Sequence, residues 1–189
     1  MNNYVGETTK FAGALLKPLA DAGVKIFFLR GNHDEYVKHA DITALIAEYA
    51  GGVNCSNELL LRIRVVDKYV KGKTFVVYAA HGAGGGAKPG AKINRARDSV
   101  FVADADAYLY GHVHDAIHRI EQVPTLSTHG KPTLRFKERL YSYAASFVAS
   151  RQQNVFDYPN AKSLAAVNHG KYAFLVDTME DKVFDARIL

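Results

Sequence analysis

The chain has one cysteine, Cys55, so no disulfide can close within it. That excludes a small disulfide-stapled fold and favours a reducing, cytoplasmic setting. Cys55 lies in the turn-like stretch Gly51-Gly52-Val53-Asn54-Cys55-Ser56-Asn57 and reads as a small packing residue, not a nucleophile. Long apolar runs are missing as well. Stretches such as Phe75 to Ala80 are far too short to span a bilayer, which argues against a membrane partner. The opening, Met1 to Lys10, is polar and lacks the basic-then-apolar order of a secretory signal. The sequence shows no internal repeat, low-complexity tract or linker, so residues 1–189 read as a single domain with a sizeable core. A G-x-x-x-x-G-K-[ST] phosphate loop is also absent.

What remains is ordinary globular material with a basic lean. Hydrophobic residues make up 48% and charged residues 23%. The formal net charge is +5 and the pI about 9.2, which favours anionic partners such as phosphate esters or nucleic acid.

Phe11, Leu15, Leu16 and Leu19 predict an amphipathic helix over Thr8–Ala22, bent at Pro18 and stopped by Gly23. Val24–Leu29 is a buried-strand pattern, and a second helix is expected over His39–Tyr49, ended by Gly51-Gly52. Leu59–Val66 alternates Leu and Ile with arginines, so one face is dry and the other wet. Lys71-Gly72-Lys73 reads as a turn before a buried strand, Thr74–Ala80. A glycine-rich loop, Gly82 to Gly90, precedes a helix expected over Ile93–Val102. Ala107–Tyr110 is a short strand, and its tyrosines, like Tyr141 and Tyr143, read as core. Ile117–Gln122, Leu134–Glu138 and Leu140–Phe147 predict consecutive antiparallel strands. Val148 to Lys171 is polar and irregular, and Tyr172–Val176 with Val183–Ala186 closes the chain as a hairpin.

Chemistry-bearing residues fall where strands end. Gly31-Asn32-His33-Asp34 follows the first apolar strand, His81 follows the second, and Gly111-His112-Val113-His114 follows the third. Open α/β sheets gather ligands at the carboxyl ends of their strands. An H-x-H pair on extended chain points both rings to one side. Imidazole nitrogens with an amide oxygen suit Mn, Fe, Zn or Ni better than Ca. Lys88, Lys92, Arg95 and Arg97 come just after the glycine loop and read equally as cations steering a phosphodiester or nucleic-acid backbone and as a solvated helix face. Gly82-Ala83-Gly84-Gly85-Gly86-Ala87 formally matches a dinucleotide-binding loop, but Pro89 and Gly90 interrupt the helix that should follow it. His39, His118, His129 and His169 match no motif.

In order and spacing, Gly31-Asn32-His33-Asp34, His81 and Gly111-His112-Val113-His114 resemble the latter part of the calcineurin-like metallophosphoesterases over roughly Val24 to Asp115. The resemblance implies a four-layer α/β/β/α sandwich of two mixed sheets, with two divalent transition metals, Mn²⁺ first in expectation, at the strand ends. Asn32, His81 and His112 match ligands of the second metal, His114 a ligand of the first, and His33 the general acid. Arg30, Asp34 and Arg95 are the candidate substrate contacts. The activity implied is hydrolysis of phosphodiesters or phosphomonoesters by a two-metal-activated water.

The family's earlier motifs, D-x-H and G-D-x-x-D, do not occur in this sequence. They supply most ligands of the first metal and the carboxylate that bridges both. The expectation is therefore a domain that is incomplete at its amino end, lacking the first two strands, with an exposed apolar edge beside Val24–Leu29. A second copy or another chain would cover that edge. The alternative function is a catalytically silent scaffold, or a fragment, that binds a protein partner.

Overall fold

The computed structural model describes residues 3–32, 41–67, 70–82, 89–113, 116–127, 130–144, 172–175 and 185–188. The chain is mixed α/β and divides between Leu59 and Leu60 into two compact units. No helix among the described residues is long and apolar enough to cross a membrane.

The first unit holds helix α1 (Asn3–Asp21), strand β1 (Phe27–Phe28), helix α2 (Ile42–Ala50) and strand β2 (Val53–Asn54). Pro18 lies inside α1 and removes one backbone donor there. The helix closes where Gly23 N–H donates to Ala20 C=O at 2.9 Å and Val24 N–H donates to Leu19 C=O at 3.0 Å. Asp41 caps α2, accepting from Ala44 N–H at 2.9 Å. β1 pairs in parallel with β2, Phe27 opposite Val53.

The packing of α1 corrects the sequence expectation. Its apolar stripe is not the buried face: Phe11, Leu15 and Leu19 are 66%, 63% and 49% exposed. Thr9 and Gly13, on the opposite side, are buried instead. The cause lies at Gly13, where a Cβ would fall 2.3 Å from the Cβ of Tyr49. Without a side chain there, α1 approaches α2 through small residues, and the large apolar ones turn outward.

The second unit is built on a five-stranded mixed sheet. Its strands are β3 (Glu58–Asp67), β4 (Val70–Ala80), β5 (Ala107–Tyr110), β6 (Ile117–Leu126) and β7 (Leu134–Tyr143), in the order β3-β4-β5-β7-β6. β4, β5 and β7 run parallel, and β6 pairs antiparallel with β7. Helix α3 (Pro89–Asp98) and a 3-10 turn (Ser99–Phe101) connect β4 to β5. β8 (Tyr172–Leu175) and β9 (Asp185–Ile188) form the expected closing hairpin.

Three sequence readings change here. Lys71-Gly72-Lys73 is strand, not turn, inside β4. Leu134–Glu138 and Leu140–Phe147 are not two strands: β7 runs unbroken from Leu134 to Tyr143 and pairs along its length with β6. Pro124 lies within β6 because β6 is the sheet edge, where a missing N–H breaks no inner ladder. Pro89 does not interrupt a helix but opens α3, the position at which proline's absent N–H matters least.

The core of this unit is a tyrosine layer. Register places Tyr78 beside Tyr108 and Tyr141, and Tyr110 beside Tyr143, all on one face, and α3 adds buried Ala96 to the same cluster. Tyr108 stacks on Tyr141 at 5.2 Å between ring centroids, and Tyr110 lies 5.3 Å from Tyr143. The hydroxyls stay satisfied: Tyr108 Oη donates to Ala103 C=O at 2.7 Å and accepts from Ala105 N–H at 3.0 Å, while Tyr110 bonds Ser99 Oγ.

Asp106 pins the strands at the opposite end of β5. Its carboxylate accepts from Val76 N–H of β4 at 2.7 Å and pairs with the Lys137 ammonium of β7 at 2.7 Å. Its backbone donates to Val76 C=O at 2.7 Å and accepts from Leu140 N–H at 2.9 Å. Replacing Asp106 with alanine orphans the Val76 N–H, and urea unfolding should show a loss of about 2–3 kcal/mol. Lys137 is partly exposed and rehydrates, so it adds little to that loss.

Burial raises the hydroxyl pKa values of Tyr108, Tyr141 and Tyr143 above the ordinary 10.0, with Arg139 or Arg95 partly offsetting the shift. A raised folded pKa keeps its stabilisation below pH 10.0 and loses it as pH climbs through the folded values. Denaturation midpoints should therefore hold to about pH 10 and fall above it, with tyrosinate absorbance rising late and together with unfolding.

Candidate functional site

Parallel pairing brings strand ends together. Ala80 lies opposite Tyr110, and Tyr110 opposite Tyr143, so the carboxyl ends of β4, β5 and β7 share one rim. His81 is the first residue beyond β4, and Gly111-His112 are the first beyond β5.

The backbone at this rim is tightly specified. Gly82 has φ +84°, and a Cβ there would come within 3.3 Å of the Tyr110 ring. The dihedral favours glycine, and the close approach would press any Cβ against the ring. His112 has φ 66°, uncommon for a residue with a side chain. Val113 N–H donates to Gly111 C=O at 2.8 Å, closing a three-residue turn centred on His112. The turn aims one imidazole at the other: His81 Nε2 lies 3.1 Å from His112 Nδ1, with ring planes 80° apart. Both residues are half-buried. One ring donates and the other accepts, so a single proton occupies the space between them.

That separation also suits two nitrogens on one cation. With metal–nitrogen bonds near 2.0–2.1 Å, nitrogens set 90–109° apart are separated by about 2.9–3.4 Å. The pair therefore fits a divalent transition metal, with the shared proton displaced on binding. Among the described residues no group of three or more His, Cys, Asp and Glu side chains gathers at one point. The histidines are a pair, and a full coordination shell needs further donors.

Beside the pair, on the same rim, opens a cleft of about 270 Å³ lined by Gly82, Arg95, Ser99, Tyr110 and Tyr143. Arg95 is exposed near the end of α3. Burial pushes the Tyr143 hydroxyl pKa up, and the Arg95 charge pulls it part of the way back. Asp98 and Val102 complete the lining, so the cleft sets one cation, one carboxylate and neutral hydroxyls around a small volume.

The other sequence-derived candidates divide as follows. Asn32 and Arg30 belong to the first unit, whereas His81, His112 and Arg95 belong to the second. Asn32 is exposed beyond β1. Arg30 N–H donates to Ser56 C=O at 2.6 Å, and its Nε is buried with no hydrogen-bond partner among the described residues. His33, Asp34 and His114 lie outside the described residues, as do residues 83–88 of the glycine loop. Sequence reasoning missed Ser99, which carried no signal, and treated Tyr110 and Tyr143 as core alone although both also line the cleft.

No family model matches this chain, and no curated protein matches it in sequence. The class that fold and rim define is a mixed α/β protein with paired imidazoles at adjoining parallel strand ends.

The positive φ at His112 has a measurable consequence. Alanine there keeps the backbone strain, whereas glycine relieves it. The His112→Gly chain should unfold about 1 kcal/mol later than His112→Ala in urea, although both lack the imidazole.

Proposed function

We propose that this chain is a calcineurin-like metallophosphoesterase, a metal-dependent hydrolase of phosphate esters. The single observation that carries the reading is the 3.1 Å approach of His81 Nε2 to His112 Nδ1 where two parallel strands end. The motif match adds Asn32 as a third donor to the same cation, His114 as donor to a second, and His33 as general acid. These additions rest on the sequence pattern, as does the finer fold, a four-layer sandwich lacking its first two strands.

A divalent transition metal such as Mn²⁺ would supply Lewis-acid polarisation of the phosphoryl group and a water acidic enough to attack at neutral pH. The chain's own part is then binding and proton handling. Arg95 would take an ester oxygen in the cleft, with Arg30 and Asp34 as the other substrate contacts. His33 would protonate the leaving oxygen as its bond to phosphorus breaks, a role open to an imidazole near neutral pH.

A second reading, the silent scaffold, has one observation in its favour: α1 turns Phe11, Leu15 and Leu19 to solvent. Hydrolysis separates the two. An activated phosphodiester should turn over with Mn²⁺ and not with chelator. His33→Ala should lower kcat by roughly 10²–10⁴-fold on an ester with a poor leaving group. His81→Ala should abolish Mn²⁺ binding seen by calorimetry. Absence of turnover together with absence of Mn²⁺ binding would leave the scaffold reading.

A further inference from the structure

The cleft beside the histidine pair holds two opposite charges that are not spent on each other. Neither Arg95 nor Asp98 enters an ion pair among the described residues, although only one turn of α3 separates them. Asp98 stands at the capping position of the 3-10 turn, yet its side chain makes no capping hydrogen bond. Both side chains are exposed. The lining is therefore formally neutral while it keeps one strong donor and one strong acceptor open.

That balance narrows the occupant. A carboxylate in the lining opposes a second anionic group. An apolar chain would desolvate both charges and pair neither. A flat base finds no ring to lie on, because Tyr110 and Tyr143 are only 8% and 1% exposed within the tyrosine layer. The exposed ring of Phe101 borders a separate cleft with Val123 and Tyr141. What fits is a small uncharged ligand whose groups donate and accept at once, and the hydroxyl does both. Neighbouring hydroxyls can donate to Asp98 and accept from Arg95. Tyr110 and Ser99 bond each other, which leaves one proton and several lone pairs of that pair for the same ligand. The volume of about 270 Å³ falls just under the roughly 300–1,000 Å³ of pockets for drug-sized ligands, so it suits one sugar ring or a short polyol.

We propose that this cleft binds a neutral polyhydroxyl group, a monosaccharide or polyol, with adjacent hydroxyls held between Asp98 and Arg95. It gives the phosphoesterase reading a substrate class, sugar or polyol phosphates, and rests on that reading only for the cleavage that follows binding. The guanidinium fork of Arg95 has donors enough for an ester oxygen and a neighbouring hydroxyl together.

Binding of methyl glucoside, ribose and sorbitol to the full chain without added metal would be followed by saturation-transfer NMR, with glycine as a zwitterionic control. At least one of the polyhydroxyl compounds should bind, and glycine should not. Asp98→Ala should weaken that binding at least about tenfold, and Asp98→Asn less, since the amide oxygen still accepts. Arg95→Gln should weaken it as well. Both side chains are exposed, so these replacements leave the chain folded. Hydrolysis of a small activated phosphodiester by the parent chain with Mn²⁺ decides the phosphoesterase reading separately. No polyhydroxyl compound bound, or binding that ignores Asp98, overturns the proposal whatever the diester shows. Glycine bound in their place overturns it in favour of a zwitterionic ligand. Asp98-dependent binding without diester turnover upholds the cleft and removes the phosphoesterase reading.

Discussion

Asp106 fixes the register on which the rest of the second unit depends. It is nearly buried, at 8% exposure, and engages β4 and β7 at once through side chain and backbone. Register in a sheet is unforgiving, because a slip of one residue sends every side chain to the other face. If β5 slid by one position, Tyr108 and Tyr110 would leave the layer formed with Tyr78, Tyr141 and Tyr143. The same slip would carry Gly111-His112 away from His81. A carboxylate at one end of β5 thus holds two imidazoles in line at the other.

The tyrosines connect that constraint to the site. Phenylalanine would fill the same space, but the hydroxyls do further work. Tyr108 bonds the backbone of Ala103 and Ala105, and Tyr110 bonds Ser99, so the return from α3 to β5 is tied to the sheet. That return carries Ser99 and Phe101, and Arg95 stands just before it. The cleft walls are therefore parts of the core, and their geometry follows from packing. At this rim the backbone takes positive φ at two described residues past the strand ends, Gly82 at φ +84° and His112 at φ 66°. Strain stored there and balanced by an ordered layer beneath is how functional groups are commonly held.

The ends of β4 and β5 were legible in the sequence because the signals were local, whereas Val24–Leu29, which reads as a buried strand, forms only the half-buried pair Phe27–Phe28 and leaves Val24 50% exposed. An apolar run followed by glycine and histidine says where a strand stops, and parallel pairing then sets His81 beside His112. The helices were legible for the same reason, with boundaries moved where Asp41 caps α2 and Pro89 opens α3. What could not be read was tertiary. Lys71-Gly72-Lys73 has turn composition yet belongs to β4, since strand pairing overrides local preference. β7 shows no break in the structure because β6 pairs with it along its whole length. The α1 stripe of Phe11, Leu15 and Leu19 has the period of a buried face. Only contact with α2 shows that Gly13 faces the neighbour. Ser99 and Phe101 gained their positions from the 3-10 turn, which no periodicity announces.

The donor chemistry sets how a site of this kind would divide its labour. On the proposed reading His81 and His112 would be uncharged donors, so a divalent cation held by them would keep nearly all of its charge. Neutral donors bind such a cation less tightly than a site with a bridging carboxylate would, but they leave it more attractive to a phosphate oxygen. The protein's own cations nearby are largely committed, Arg97 and Arg119 to Glu121 and Arg139 to Asp104. On the proposed reading, then, the ester's negative charge completes the site as much as the site recruits the ester. Anion and metal would bind with positive coupling, each raising the other's affinity by the same factor. Arg95, standing apart from those ion pairs, would orient the ester more than hold it.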